Sequence, residues 1–173
     1  VVTAPGTRTI HVIQGDHQVS DAPGTVMTTV LGSCVSACLY DAERRIGGMN
    51  HFLLPDGSGP RDIRHASAAM ETLINSLLKR GARRERLVAK LFGGARMLKG
   101  LPDIGRRNGE AALAFLKGEG IRVEAQSLGG HQARRVRFWP DTGRAQQLLL
   151  TDTADPANTR HPAPQPGGTI ELF

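Results

Sequence analysis

Val26-Met27-Thr28-Thr29-Val30-Leu31-Gly32-Ser33-Cys34-Val35-Ser36-Ala37-Cys38-Leu39-Tyr40 decides the fold. The stretch is rich in β-branched and apolar residues, which suit a pleated, half-buried surface. Its one break is Leu31-Gly32-Ser33, and a glycine inside a strand pattern marks a bend or a close backbone approach. The stretch therefore reads as two strands joined by a tight bend at Gly32, with Cys34 just past that bend.

Working outward, residues 46–54 form the next strand, opened by Gly47-Gly48 and closed by Pro55. If the two strands pair as a hairpin around Asp41-Ala42-Glu43-Arg44-Arg45, Cys34 and His51 can face the same side. Upstream, residues 9–13 read as a first strand after a loose arm over 1–8, and Gly15-Asp16 and Asp21-Ala22-Pro23-Gly24 are turn chemistry. Downstream, Pro55-Asp56-Gly57-Ser58-Gly59-Pro60 is a loop. Ala66, Ala69, Met70, Leu73, Ile74, Leu77 and Leu78 then follow helical spacing, which predicts a helix over 63–80 capped by Asp62 and ended by Gly81. Residues 87–92 are a short buried strand before Gly93-Gly94, and a second helix runs over 107–117 with Leu113 and Leu116 inward. Residues 121–128, 134–139 and 145–150 are strands, the last two joined by the Pro140-Asp141-Thr142-Gly143 turn. Strands first, then strand and helix alternating, argue for an α+β layered α/β sandwich with a mixed sheet and two main helices.

The domain organisation follows from composition. One domain covers 1–150, and residues 151–173 are a Pro/Gly-rich tail expected to be mobile or laid on the surface. The 173 residues suffice for a real core. Twenty-two basic residues against 16 acidic give +6, with a sequence pI of about 10.1. That charge steers towards acidic partners without choosing among them. Five Phe, one Trp and one Tyr are few for stacking on single-stranded nucleic acid, and no nucleic-acid motif appears. No apolar run approaches the roughly 18 residues of a spanning helix, and no leader pattern opens the chain. The expectation is a cytoplasmic protein without membrane insertion.

Cys34 is the candidate nucleophile. A cysteine just after a Gly-Ser bend sits where backbone N–H groups of Ser33 and Cys34 can turn outward as oxyanion donors. An imidazole at His51 can take the thiol proton. Cys38, four residues on, shares a strand face with Cys34 at roughly 13 Å, too far for a disulfide, and reads as core. Zinc fails on ligand count. Cys34, Cys38 and His51 match three finger ligands, but Pro55, Asp56 and Gly57 stand where the fourth is due, and His65 is too distant. Neither metal nor cofactor is expected. Gly93-Gly94 lacks the Lys-Ser/Thr of a phosphate loop and reads as tight backbone packing. Asn108 reads as a cap of the second helix. The groups Arg83-Arg84-Arg86, Arg106-Arg107 and Arg134-Arg135-Arg137 read as solvated surface, one of them available to dock an acidic helix.

Six segments together resemble the CheD family. They are Thr28 through Asp41, Gly47 through Pro55, Ala69 through Asn75, Ala89 through Met97, Ile104 through Asn108, and Leu128-Gly129-Gly130 with Arg134 through Phe138. The resemblance runs from about Ile13 to Leu150. It implies a protein-glutamine deamidase that converts glutamines in the cytoplasmic methylation helices of chemoreceptors to glutamates. It also implies a Cys-His-Thr set on an α/β sandwich similar to the catalytic domain of cytotoxic necrotizing toxins. The family cysteine falls on Cys34, the histidine on His51 and the threonine on Thr28, with Thr29 beside it bearing the same hydroxyl. Some members also bind the phosphatase CheC, which makes CheC a possible partner and adaptor activity the alternative function. Leu128 departs from the polar residues common before the family's glycine pair.

Overall fold

The computed structural model describes residues 6–54, 60–151 and 169–173. Two five-stranded sheets stack face to face, and two helices cover the outer side of one of them. The first sheet runs β1 (Arg8–His11), β3 (Thr25–Leu31), β8 (Arg134–Trp139), β9 (Arg144–Leu149), β10 (Ile170–Leu172). The second runs β2 (His17–Ser20), β5 (Ile46–Asn50), β4 (Val35–Asp41), β6 (Val88–Gly93), β7 (Arg122–Leu128). Each sheet is mixed, with one parallel pair: β1 with β3, and β6 with β7. The expected layered α+β architecture is present, with its strands divided between two sheets where the sequence suggested one.

The division happens at Gly32. β3 belongs to one sheet and β4 to the other, so the bend carries the chain across the sandwich. Alternation along β4 then serves two cores. Val35, Ala37 and Leu39 join the helix-side core, while Cys34, Cys38 and Tyr40 join the layer between the sheets. That is why all seven residues of β4 are buried and why the sequence reads as a nearly continuous apolar run.

Helix α1 (Pro60–Lys79) sends Ala66, Met70, Leu73, Ile74 and Leu77 into the helix-side core. It starts at Pro60, so Asp62 lies in its first turn and not at the cap position expected of it. Gly48 lets this helix approach: a Cβ there would meet Val19 Cγ1 at 2.7 Å and Leu73 Cδ1 at 2.9 Å. Helix α2 (Ile104–Gly118) begins three residues earlier than its pattern suggested, because Asp103 accepts the Arg106 N–H and caps it. No helix among the described residues is long and apolar enough to cross a membrane.

Residues 152–168 of the expected tail, and 55–59 of the expected loop, lie outside the described residues. Residues 169–173, grouped with the tail by composition, instead return to the sheet. β10 pairs antiparallel with β9, the Phe173 ring meets Phe92 edge-on at 5.2 Å, and Lys90 Nζ donates to the Gly143 and Phe173 main-chain oxygens at 2.7 and 2.8 Å. Composition missed this because a three-residue edge strand carries almost no pattern of its own.

Candidate active site

Cys34 sits at the crossing between sheets, held from three sides. Gly94 N–H donates to Cys34 O at 2.8 Å and Ala95 N–H to Gly32 O at 3.0 Å. Gly93, at φ +109°, leaves room that a Cβ would take from the Cys34 carbonyl. The Gly93-Gly94 pair is therefore backbone packing, as read, and its object is the candidate nucleophile. From the third side, Asn108 Nδ2 donates to Ser33 O at 2.7 Å while its Oδ1 accepts the Leu54 N–H at 3.0 Å. Asn108 lies inside α2, fully buried, which corrects its reading as a cap: its amide reaches sideways, out of the helix. Among the described residues, the N–H groups of Ser33 and Cys34 donate to no other residue, and the Cys34 N–H faces its own sulfur.

His51 follows the end of β5. The β4–β5 ladder pairs Cys38 with Met49 and resumes at a Val35–Phe52 bridge. Between these, the Asn50 side chain takes the Ala37 N–H at 2.8 Å. Continuing that register sets His51 opposite Ser36 and Leu53 opposite Cys34. His51 and Cys34 are thus diagonal neighbours on the inter-sheet face, a relation that spans about 7–8 Å between backbones and lies within reach of long side chains. The thiol donates to Gln14 Oε1, at 3.7 Å, and not to the imidazole.

The hydroxyl against the imidazole belongs to Thr29. Its Oγ1 lies 2.8 Å from His51 Nδ1 and donates to Val12 O at 2.6 Å. Thr28, the residue assigned to this place by resemblance, is one position off. Period-2 alternation sends Met27, Thr29 and Leu31 into the layer between sheets and Thr28 to the outer face, where it pairs with His11 and Arg137 in the ladders. The Thr29 contact also fixes the tautomer. A hydroxyl has one proton, and here it goes to Val12 O, so Nδ1–H must be the donor to Oγ1 and Nε2 keeps the lone pair.

Burial dominates the electrostatics. It pushes the Cys34 thiol above its ordinary value, with its own backbone N–H pulling partly back. It holds the His51 imidazole below its ordinary value, with the Val12 main-chain oxygen acting in the opposite sense. Both shifts favour the neutral forms, so the resting site is a thiol beside a neutral base. Cys38 is fully buried and its thiol is pushed up to about 12, first by burial. It is core, as its spacing suggested.

Beside the bend lies an open surface. Met97 and Leu98 are 47% and 63% exposed, and a groove of about 370 Å³ is lined by Gly94, Arg96, Gly105, Leu113, Leu128 and His131. The basic groups are less free than they read. Arg86 pairs with Asp41 and Glu43, and Arg84 with Glu119 and Glu71. Arg134 is buried and donates to Ser127 O and Gly129 O, fastening the Leu128–Gly130 turn. Among the described residues no three His, Cys, Asp or Glu side chains gather as a metal site.

Sequence reasoning named Cys34, His51 and Ser33, which the fold sets around one bend, and left Thr28 and Thr29 open; it did not name Gln14 or the Asn108 contacts. Alternation puts Thr29 on the face of Met27 and Leu31, but that this face looks into the layer between the sheets follows only from the two-sheet fold. Gln14 and Asn108 gave no signal short of the tertiary fold.

The family model for CheD chemotactic sensory transduction matches residues 53–147, a segment that opens just past His51. Relatives from several bacteria carry the name "Probable chemoreceptor glutamine deamidase CheD". The one from Caulobacter vibrioides is 51% identical, over 95% of this chain and 92% of its own length. That from Acidiphilium cryptum is 49% identical over 96% and 94%, and that from Sinorhizobium medicae 46% identical over 98% of each. A Neisseria meningitidis protein of solved structure aligns at TM-score 0.44 and 13% identity over 72% of this chain and 63% of that one, too slight a likeness to argue from. With half its residues matched by the family model and nearly its whole length shared with these relatives, the chain belongs to the CheD family.

Proposed function

We propose that this protein is a chemoreceptor glutamine deamidase, a hydrolase of side-chain amides, with Cys34 as nucleophile, His51 as base and Thr29 as the residue that orients the base. The observation that carries the reading is the Thr29–His51 contact: a hydroxyl whose proton is committed elsewhere leaves the imidazole as a base at Nε2, on the face that Cys34 shares. The names of the relatives supply the substrate class. The exposed apolar side chains around the bend suit a protein substrate lying across an open surface.

The chemistry starts from a neutral pair. Nε2 takes the thiol proton as sulfur attacks the carboxamide carbon of a receptor glutamine. The negative oxygen is met by the Ser33 and Cys34 N–H groups, which donate to no other described residue at rest. The imidazolium returns its proton to the departing ammonia, leaving a thioester. Water, deprotonated by Nε2, hydrolyses that thioester to glutamate and the thiol. Thr29 accepts from Nδ1–H throughout, which holds the ring orientation. A hydroxyl carries no charge, so it offers the imidazolium less than a carboxylate does.

A substrate of this class, receptor helices that face the cytoplasm, supports a cytoplasmic site of action. CheC docking is the secondary reading. A chain kept only as an adaptor would have no need of Asn108, Gly93 and Thr29 braced around a thiol and an imidazole. The test is mass analysis of glutamine-containing receptor peptides incubated with wild-type and Cys34→Ala protein. Conversion to glutamate by the wild type alone is expected; conversion by Cys34→Ala at the wild-type rate would end the proposal.

A further inference from the structure

The Cys34 thiol points at an amide of its own chain. Gln14 Oε1 accepts from Sγ at 3.7 Å, and the deamidation scheme above has no use for Gln14. Its position is built, although the side chain is exposed. Residues 13–16 form a turn closed by Asp16 N–H donating to Ile13 O at 3.0 Å. Gly15 holds the third position at φ +87°, as a type II turn requires. That turn is tied to the base at both ends of one residue: Gly15 N–H donates to His51 O at 2.8 Å and His51 N–H to Asp16 O at 3.1 Å. One residue before the turn, Val12 N–H donates to Thr28 O at 2.9 Å, and Val12 O accepts the Thr29 hydroxyl. The segment that carries Gln14 is thus fastened to both the candidate base and the strand that orients it.

We infer that the Gln14 carboxamide is the side-chain member of the oxyanion hole, completing the pair of backbone N–H groups at Ser33 and Cys34. The inference rests on the thiol chemistry proposed above. In the tetrahedral adduct the negative oxygen is on the carbon bonded to Sγ, so it lies immediately beside that sulfur. A donor must come within about 3 Å of it, and a carboxamide already touching the sulfur is placed for that. At rest the oxygen end faces the S–H. Once the proton has passed to His51 and charge has moved to the substrate oxygen, a half-turn about the Cγ–Cδ bond presents Nε2–H instead. Side-chain amides are suited to this because one group holds both an acceptor and two donors.

The test compares wild type, Gln14→Ala, Gln14→Glu and Cys34→Ala on one receptor peptide, with iodoacetamide labelling and thermal melting as companions. Gln14→Ala should lower kcat about 100-fold, the usual scale for one oxyanion donor, with KM changed less than about threefold. Melting and the labelling rate of Cys34 should stay near wild type. Gln14→Glu, close in shape but without an N–H, should be no better than the alanine variant. Wild-type kcat in either variant overturns the inference. So does a gain of one amide-to-acid mass shift at residue 14 when wild-type protein is incubated alone, since Gln14 would then be a substrate in cis. A fully active Cys34→Ala would strike the underlying mechanism instead, so the two failures are distinguishable.

Discussion

Strand β4 has two ends that are built on opposite principles. At its C-terminal end the Asp41 carboxylate, fully buried, accepts from the N–H groups of Glu43, Arg44 and Arg83 and from Arg86 Nε. Burial alone would raise its pKa; Arg86 and the N–H groups of Arg83 and Arg44 outweigh it and hold the carboxyl below its ordinary value. Both oxygens of the carboxylate that the hairpin buries there are answered. At the N-terminal end the strand leaves a bend whose carbonyls are tied down by Gly94, Ala95 and Asn108, while the N–H groups of Ser33 and Cys34 donate to no other described residue and burial favours the neutral thiol. The same seven residues thus connect a saturated turn, which stabilises, to an unsaturated one, which has capacity left for a substrate. A buried donor left without an acceptor costs about 1–3 kcal/mol, which a substrate oxygen at this bend would relieve.

The contrast is broken most directly by a pair of substitutions with mirrored outcomes. Cys34→Ala should reduce deamidation at least about 10³-fold, or about 4 kcal/mol of barrier, with a melting temperature within about 3 °C of wild type. Asp41→Ala should do the reverse. It strands Arg86 and three N–H groups, so stability in urea should fall by about 3 kcal/mol, while kcat of the folded fraction stays within about twofold. Equal losses of stability in the two variants would mean that the ends are not differently built.

Asn108 tests whether the bend is positioned from outside the strand. Asn108→Ala leaves Ser33 O and the Leu54 N–H without partners, which should cost about 1–3 kcal/mol in urea unfolding. Asn108→Asp keeps an acceptor for Leu54 but sets an oxygen against Ser33 O. It should therefore lower kcat about tenfold or more while KM for the peptide changes little. Wild-type kcat in Asn108→Asp would show that Gly94 and Ala95 suffice to set the bend. Next in size is the threonine pair. Thr29→Val should lower kcat about 10- to 100-fold, and Thr28→Val, on the outer face, less than about twofold. The opposite order would restore Thr28 to the role the resemblance gave it.

The threonine result also marks how far the sequence could be read. The bend at Gly32, a hairpin to the strand expected over 46–54 and found over 46–50, and the helix expected over 63–80 and found over 60–79 were visible because periodicity is a local property that a short window carries. Cys34 and His51 were visible because each sits beside a recognisable backbone feature. The choice between Thr28 and Thr29 was not, since both are buried and both bear a hydroxyl; what separates them is which sheet face looks across to β5, and that depends on a second sheet that the pattern did not announce. Asn108 was misassigned for a related reason. An Asn near a helix start has a plausible local use, and its actual partners are 54 and 75 residues away in sequence. Long-range partners leave no local trace.

The smallest expected effect separates the two ends by pH. His51 is held below the ordinary imidazole value of 6.5, so as pH falls through 6.5 the unfolded chain takes up a proton that the native site resists. Stability is then lost, by at most about 1.4 kcal/mol per pH unit for one group, and the loss levels off once the native imidazole also protonates. Asp41 behaves in the opposite range. Its carboxyl is held below the ordinary 3.8, so its contribution is intact at neutral pH and disappears only as pH falls past 3.8 towards the lowered value. Urea unfolding between pH 7 and 5 should therefore show a slope in wild type that flattens in His51→Gln and persists in Asp41→Asn. The rate of deamidation should fall over an acid limb centred below 6.5, because the neutral imidazole is the form that takes the thiol proton. A limb centred above 6.5 would mean that a charged partner raises His51, and the bend would then hold an ion pair at rest where the burial of both groups favours a neutral one.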